Sequence, residues 1–109
     1  MNSSVAFIDQ KLKDNFDVLT QGRFEDKKLY DSINKTIDAL KKDPTYGTKI
    51  PKRLWPRDYT KSYQITNLWK YNLPDGWRLV YTIQTSDIMM LSIILEWYSH
   101  KDYERKFKY

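Results

Sequence analysis

The hydrophobic residues of this chain change their spacing near its middle. In the first half one stripe recurs at steps of four, four and three: Leu29, Ile33, Ile37 and Leu40. This is the period of a helix with one apolar face. In the second half, short apolar runs are separated by PDG and QTSD, which are hairpin signals. The change predicts helices followed by an antiparallel sheet, and 109 residues suit a single domain over residues 1–109.

Local signals place the individual elements. VAFIDQ predicts a first strand or the lead-in to a helix. A short helix with Leu12, Phe16 and Leu19 at helical spacing should end at Gly22 as its C-cap. Three strands are predicted at about 67–73, 77–84 and 88–98, followed by a short C-terminal helix or turn. The expected fold is α+β, with two N-terminal helices packed on one face of a small, mainly antiparallel sheet, which the first strand is a candidate to join.

Most of the net positive charge lies in the second half of the chain, where acidic residues are fewer. The formal net charge is +5, and residues 44–66, which hold three of the four prolines, are predicted to form an extended connector on the surface. A basic surface suits a polyanion such as nucleic acid, although a merely solvated face is the alternative. The candidates for contacts with RNA phosphates are Lys52, Arg53, Arg57 and Lys61.

Composition excludes several classes of protein. The chain has no cysteine, so disulfides and thiolate metal sites are impossible. No clustering of His and Asp has metal-ligand spacing, and we expect neither a metal nor a cofactor. No basic segment precedes a long apolar run at the N-terminus, and no apolar run approaches ~20 residues. We therefore expect no signal peptide, no membrane partner and a cytoplasmic location.

The alternation along the strands predicts two different sheet faces. The apolar set expected to meet the helix stripe includes Trp69, Tyr71, Leu79, Tyr81, Ile93 and Leu95. The other set carries Lys70, Arg78, Glu96 and His100, which should share the face that the helices leave open. The alternative for Arg78 is an ordinary cross-strand ion pair with Glu96, worth ~0.2–1 kcal/mol.

Three segments follow one another over about residues 67–107: NLWKYN, DGWRLVYTI and SIILEWYSHKDYERKF. In this order they resemble the corresponding strands and C-terminal segment of the RelE-type toxins of the RelE/ParE superfamily. Upstream, INKTIDALKKDPTYGTKIPKRL resembles the family's second helix and its exit loop, and in the order of its elements nearly the whole chain is similar to the family. The resemblance implies a RelE-like toxin of a type II toxin–antitoxin system. Such a toxin is a metal-independent endoribonuclease that cleaves mRNA on the ribosome and is restrained by a small acidic antitoxin. The alternatives within the superfamily are a non-catalytic interaction protein and a ParE-like gyrase inhibitor.

The resemblance also implies roles for individual residues. Arg78 matches the strand arginine that meets the scissile phosphate, and Lys70 falls near one of the family's lysines. His100 lies where members have Arg or His. The C-terminal aromatic is matched by Tyr103 or by Phe107.

The chemistry of RNA cleavage fits these residue types. The 2′-hydroxyl needs a general base, the phosphate needs positive charge, and the leaving oxygen needs a proton. His100 is the only histidine, and imidazole exchanges protons near neutral pH. Arg78 and Lys70 would hold the phosphate, and Tyr103 would stack on or orient a base. Glu96 is a further candidate for the base, because alternation predicts it on the same side as His100.

Overall fold

A five-stranded sheet organises the computed structural model, which describes residues 2–107. The strands are β1 (Asn2–Phe7), β2 (Thr48–Lys49), β3 (Trp69–Asn72), β4 (Arg78–Thr85) and β5 (Met89–Tyr98). The helices are α1 (Gln10–Val18), α2 (Phe24–Lys42), α3 (Arg57–Ser62) and α4 (His100–Phe107). The strand order is β1-β5-β4-β3-β2, with β1 parallel to β5 and the other pairs antiparallel. The predicted α+β class and the predicted hairpin strands are confirmed, and the N-terminal strand does join the sheet.

Helices α1 and α2 form the first layer, on one face of the sheet. The Asp9 carboxylate caps α1 by accepting a hydrogen bond from the Leu12 N–H at 2.8 Å. A 3₁₀ turn follows α1, and Gly22 then adopts an extended conformation rather than the left-handed one of a glycine C-cap. The α2 stripe is confirmed: its apolar residues pack in one cluster with Leu79, Tyr81 and Ile94 of the sheet.

A second layer covers the other face, which the sequence predicted to be open. The connector prediction is wrong, because residues 44–66 contain three short helical segments and β2. Proline stops an α-helix but is favourable at the start of the next one, and Pro44 and Pro56 stand at such starts. Ile50 and Tyr59 of this segment are buried. With α4 they form a second core that comprises Ile50, Tyr59, Leu68, Val80, Leu95, Tyr103 and Phe107.

A β-bulge in β5 changes which residues face each layer. Val80 pairs with Glu96 while Tyr81 pairs with Ile94, so Leu95 has no partner in the register. As a result Leu95 and Ile93 pack with the second core, whereas Ile94 belongs to the first. The prediction that Ile93 and Leu95 meet the α2 stripe is therefore wrong, because strict alternation fails at the inserted residue.

The same register separates Arg78 from Glu96. Arg78 lies opposite Tyr98, and Glu96 lies opposite Val80. No ion pair joins Arg78 to Glu96 among residues 2–107. The alternative of a directly opposed cross-strand pair is thus wrong, and Arg78 finds other partners. Across the same range of residues, no helix is long and apolar enough to span a membrane.

Candidate functional site

The turn between β3 and β4 brings the start of α4 against the start of β4. Asp75 and Gly76 have left-handed backbone conformations, with φ of 61° and 82°. A Cβ atom on Gly76 would lie 2.8 Å from the Cβ of His100, so a side chain at this position would push α4 away. Glycine therefore allows His100 to pack on the turn that immediately precedes Arg78.

Arg78 is held by the carbonyl groups of this turn. Its Nη1 donates hydrogen bonds to the oxygens of Gly76 at 2.6 Å and Trp77 at 3.2 Å. The side chain is half-buried, and its Nε is buried without a hydrogen-bond partner among the described residues. A buried donor left without a partner typically costs about 1–3 kcal/mol. Such a buried, unsatisfied donor is uncommon in folded proteins, and it sets Arg78 apart from the exposed basic residues of the chain.

Tyr103 brings Lys70 and Arg78 together. The Lys70 ammonium lies 5.3 Å from the centre of the Tyr103 ring, and the Arg78 guanidinium carbon lies 5.7 Å from it. A tyrosine ring attracts cations through its negative face. The ring is 2% exposed and stacks on Phe107, with 4.5 Å between ring centres. Both candidates for the C-terminal aromatic are thus buried, and their rings support the basic residues rather than offering a surface on which a base could stack.

His100 pairs with a carboxylate that the sequence analysis did not single out. Its Nε2 lies 2.7 Å from Oε1 of Glu104, one turn further along α4, and both side chains are exposed. When Nε2–H donates to this carboxylate, Nδ1 is left as the proton acceptor of the neutral ring. The spacing of four is visible in the sequence, and residues four apart meet on a helix, which was one of the two structures expected for this C-terminal segment.

Glu96 belongs to a different group of residues. It is half-buried on the second-layer face, and burial raises the pKa of its carboxyl. The charged residues that influence its pKa are Asp9 and Lys106, and no described contact joins it to His100. Burial raises the pKa of the Tyr98 phenol to about 12, and the nearby charge of Glu96 contributes to this rise. Alternation alone had placed Glu96 on the same side as His100, but β5 ends at Tyr98 and His100 already belongs to α4, where strand alternation no longer applies.

The four predicted phosphate-binding residues are all exposed. Lys52 and Arg53 lie in a 3₁₀ turn, and Arg57 and Lys61 lie in α3. Arg53 and Arg57 line a cavity of about 710 Å³ between that segment and α4, whereas Lys52 and Lys61 do not.

The comparisons with known proteins leave the site to be interpreted from its own chemistry. No family model, no curated protein and no solved structure matches this chain. In the part of the chain that the structure describes, no group of three or more His, Asp or Glu residues is placed to hold a metal ion.

Proposed function

We propose that this chain is the toxin of a type II toxin–antitoxin system, a metal-independent endoribonuclease that cleaves mRNA on the ribosome. The observation that carries the proposal is the cluster at one end of the sheet. Lys70 and Arg78 lie over the buried ring of Tyr103. His100, which pairs with Glu104, packs against the turn whose carbonyl groups accept hydrogen bonds from Arg78. Positive charge and a proton-transfer group at one place are what phosphodiester cleavage by an internal hydroxyl needs.

The reaction follows from the donors and acceptors of the cluster. Nδ1 of His100 takes the proton of the ribose 2′-hydroxyl, and the 2′-oxygen forms a bond to the adjacent phosphorus. The bond from phosphorus to the 5′-oxygen breaks, and that oxygen takes a proton from water. The products are a 2′,3′-cyclic phosphate and a 5′-hydroxyl. Arg78 and Lys70 stabilise the charge on the phosphoryl oxygens, and Glu104 positions the imidazole.

The test is cleavage of mRNA by the purified chain in the presence of ribosomes. Arg78→Ala should lower the cleavage rate about 10²–10³-fold, because a donor to the developing charge is removed. Arg78→Lys should be nearly as harmful, since an ammonium cannot make the two-pronged contact. His100→Ala should lower the rate ~10²–10⁴-fold. Lys101→Ala, at the exposed neighbour of His100 on α4, is the matched control and should cleave at the wild-type rate.

Two results would contradict the proposal at different levels. If folded Arg78→Ala and His100→Ala variants both cleave normally, the residues are misassigned. If the wild-type chain leaves ribosome-bound mRNA intact, the endoribonuclease proposal fails. A ParE-like gyrase inhibitor would then stop DNA supercoiling in vitro, and a non-catalytic interaction protein would not.

The proposed partner is a small acidic antitoxin encoded beside this chain. An acidic segment would suit the net charge of +5. Expression of the chain alone should arrest growth, and co-expression of the neighbouring reading frame should restore it. Normal growth under strong expression alone would contradict a toxin.

A further inference from the structure

The cavity between α3 and α4 combines aromatic and basic side chains. Its volume of about 710 Å³ lies in the range of small-molecule sites. Trp55 borders it, with the indole held by a hydrogen bond from Nε1 to the Ile50 oxygen at 2.9 Å. Tyr98, which is half-buried, contributes a further aromatic ring to the wall, and the buried Phe107 also borders the cavity. Rings fixed by a sheet and by packing are suited to stacking against a planar ligand.

The charges around the cavity leave two arginines available. Lys106 forms an ion pair with Asp58 at 2.6 Å, and Arg105 lies 3.6 Å from Asp102. Arg53 and Arg57 also line the cavity, and neither forms an ion pair with any residue from 2 to 107. An exposed guanidinium without a carboxylate partner is suited to bind a phosphate through two parallel hydrogen bonds.

Two aromatic residues of the cavity wall lie next to residues of the proposed cleavage site. Tyr98 lies opposite Arg78 in the sheet and also lines the cavity. Phe107 lines the cavity and stacks on Tyr103, the ring beneath Lys70 and Arg78. A strand of RNA that places one phosphate at Arg78 therefore has a neighbouring nucleotide close to the cavity.

We propose that this cavity binds one nucleotide of single-stranded RNA, with its phosphate on Arg53 and Arg57 and its base against Trp55 and Tyr98. The inference rests on the proposed function, because it assigns the cavity to the strand that flanks the scissile phosphate. The cavity thus contributes to substrate affinity, and the cluster around Arg78 contributes to the chemical step.

The experiment is a titration followed by ¹H–¹⁵N NMR, including the indole signal of Trp55. The probes are a pentanucleotide RNA with 2′-O-methyl groups, which cannot be cleaved, and adenosine 5′-monophosphate. The pentanucleotide should shift the Trp55 signal and bind more tightly than the mononucleotide. The double variant Arg53→Gln, Arg57→Gln should weaken its binding about tenfold or more. It should also reduce the slope of log affinity against log salt by about 0.7 for each phosphate that the variant no longer neutralises.

The matched control is the double variant Lys27→Gln, Lys35→Gln. It removes the same charge from two exposed positions of α2, in the layer on the opposite face of the sheet. Its affinity should stay within about twofold of wild type, because exposed charges far from the bound strand are screened. Equal weakening by both double variants, or binding that leaves the Trp55 signal unmoved, would overturn the inference. Tighter binding of the mononucleotide than of the pentanucleotide would also overturn it, in favour of a site for free nucleotides.

These measurements separate the inference from the proposed function. The 2′-O-methyl RNA reports binding whether or not the chain cleaves RNA, so absence of the proposed activity leaves the binding result decisive. Conversely, ribosome-dependent cleavage with normal affinity in the Arg53→Gln, Arg57→Gln variant would remove the cavity assignment and leave the endoribonuclease proposal intact.

Discussion

The two layers that cover the sheet are built in different ways. The first layer contains α2, which runs for 19 residues with one apolar stripe. The second layer contains α3 and α4, of 6 and 8 residues, and its core relies on Tyr59, Tyr103 and Phe107. Short helices gain little stability from their own hydrogen bonds and depend on tertiary packing. We therefore expect the second layer to contribute less to stability than the first. The second layer also covers the face with the basic cluster, the His100–Glu104 pair and the cavity.

The largest effect should come from the first layer. Ile33 is fully buried under the sheet, and Ile33→Ala should reduce the free energy of unfolding by about 2–5 kcal/mol. Urea unfolding followed by tryptophan fluorescence measures this reduction. The control is Ile88→Ala, at a side chain that is 75% exposed, which should change stability by no more than about 0.5 kcal/mol. Similar small reductions for both variants would mean that the α2 stripe does not dominate stability.

A pair of tyrosines sharpens the comparison between the layers. The Tyr81 hydroxyl donates to the Pro44 oxygen at 2.6 Å and accepts from the Gly47 N–H at 3.2 Å. Tyr81→Phe should cost about 1–3 kcal/mol, because both backbone groups lose a buried partner. Tyr59→Phe removes only the hydrogen bond to the Tyr98 hydroxyl, and Tyr98 borders the cavity, where water can replace it.

We therefore expect Tyr59→Phe to cost about 0.5–1.5 kcal/mol, less than Tyr81→Phe. Both values come from urea unfolding of the single variants at pH 7. If Tyr59→Phe proves the more costly of the two, the second layer is not the more tolerant one.

The carboxyl of Glu96 provides a pH test of the second layer. Burial raises its pKa in the folded protein above the ordinary value of 4.5. The folded protein favours the protonated carboxyl, so the stabilising contribution of Glu96 is fully present below the unfolded pKa. This contribution is lost as pH rises through the higher folded pKa, because the buried carboxyl then becomes charged. Glu96→Gln removes this pH-dependent destabilisation, so the variant should gain stability over wild type at pH 7. The gain should shrink as pH falls through the raised folded pKa and should be smallest below the unfolded pKa of about 4.5.

Thermal unfolding of both proteins from pH 3.5 to pH 7 measures this difference. Glu25→Gln is the control, because Glu25 is exposed on α2 and forms no ion pair with any residue from 2 to 107. An advantage of Glu96→Gln that stays constant across this range would show that the carboxyl is not the cause.

The smallest effects should come from ion pairs in the two layers. Asp58→Asn breaks the ion pair with Lys106, which links α3 to α4, and should cost about 0.2–1 kcal/mol. Asp17→Asn breaks the ion pair with Lys13 within α1 and should cost about 0.3–0.5 kcal/mol. Only Asp58→Asn should speed amide exchange in α4, because it alone joins two elements. Equal protection of α4 in both variants would contradict a link between the two helices.

The sequence by itself determined the elements whose signals are local. The α2 stripe and the three hairpin strands follow from hydrophobic period and turn residues, and the structure has them. Of the helix or turn expected at the C-terminus, the structure has the helix. Arg78 and His100 could be singled out by residue type and by their positions near turns. The pairing of His100 with Glu104 was also within reach, since it needs only the helical spacing of four.

Only the tertiary structure decided how these elements meet. The bulge at Leu95 reverses the alternation of β5, and no local pattern marks it. Residues 44–66 cover the sheet because their few apolar side chains are buried together with those of α4, far away in sequence. The contact of Gly76 with His100, the ring shared by Lys70 and Arg78, and the cavity all join segments that are distant from one another in the sequence. Hydrophobic periodicity indicates the local conformation of a segment and the face that it buries. It does not indicate which distant segments pack together, and the candidate site forms where such segments meet.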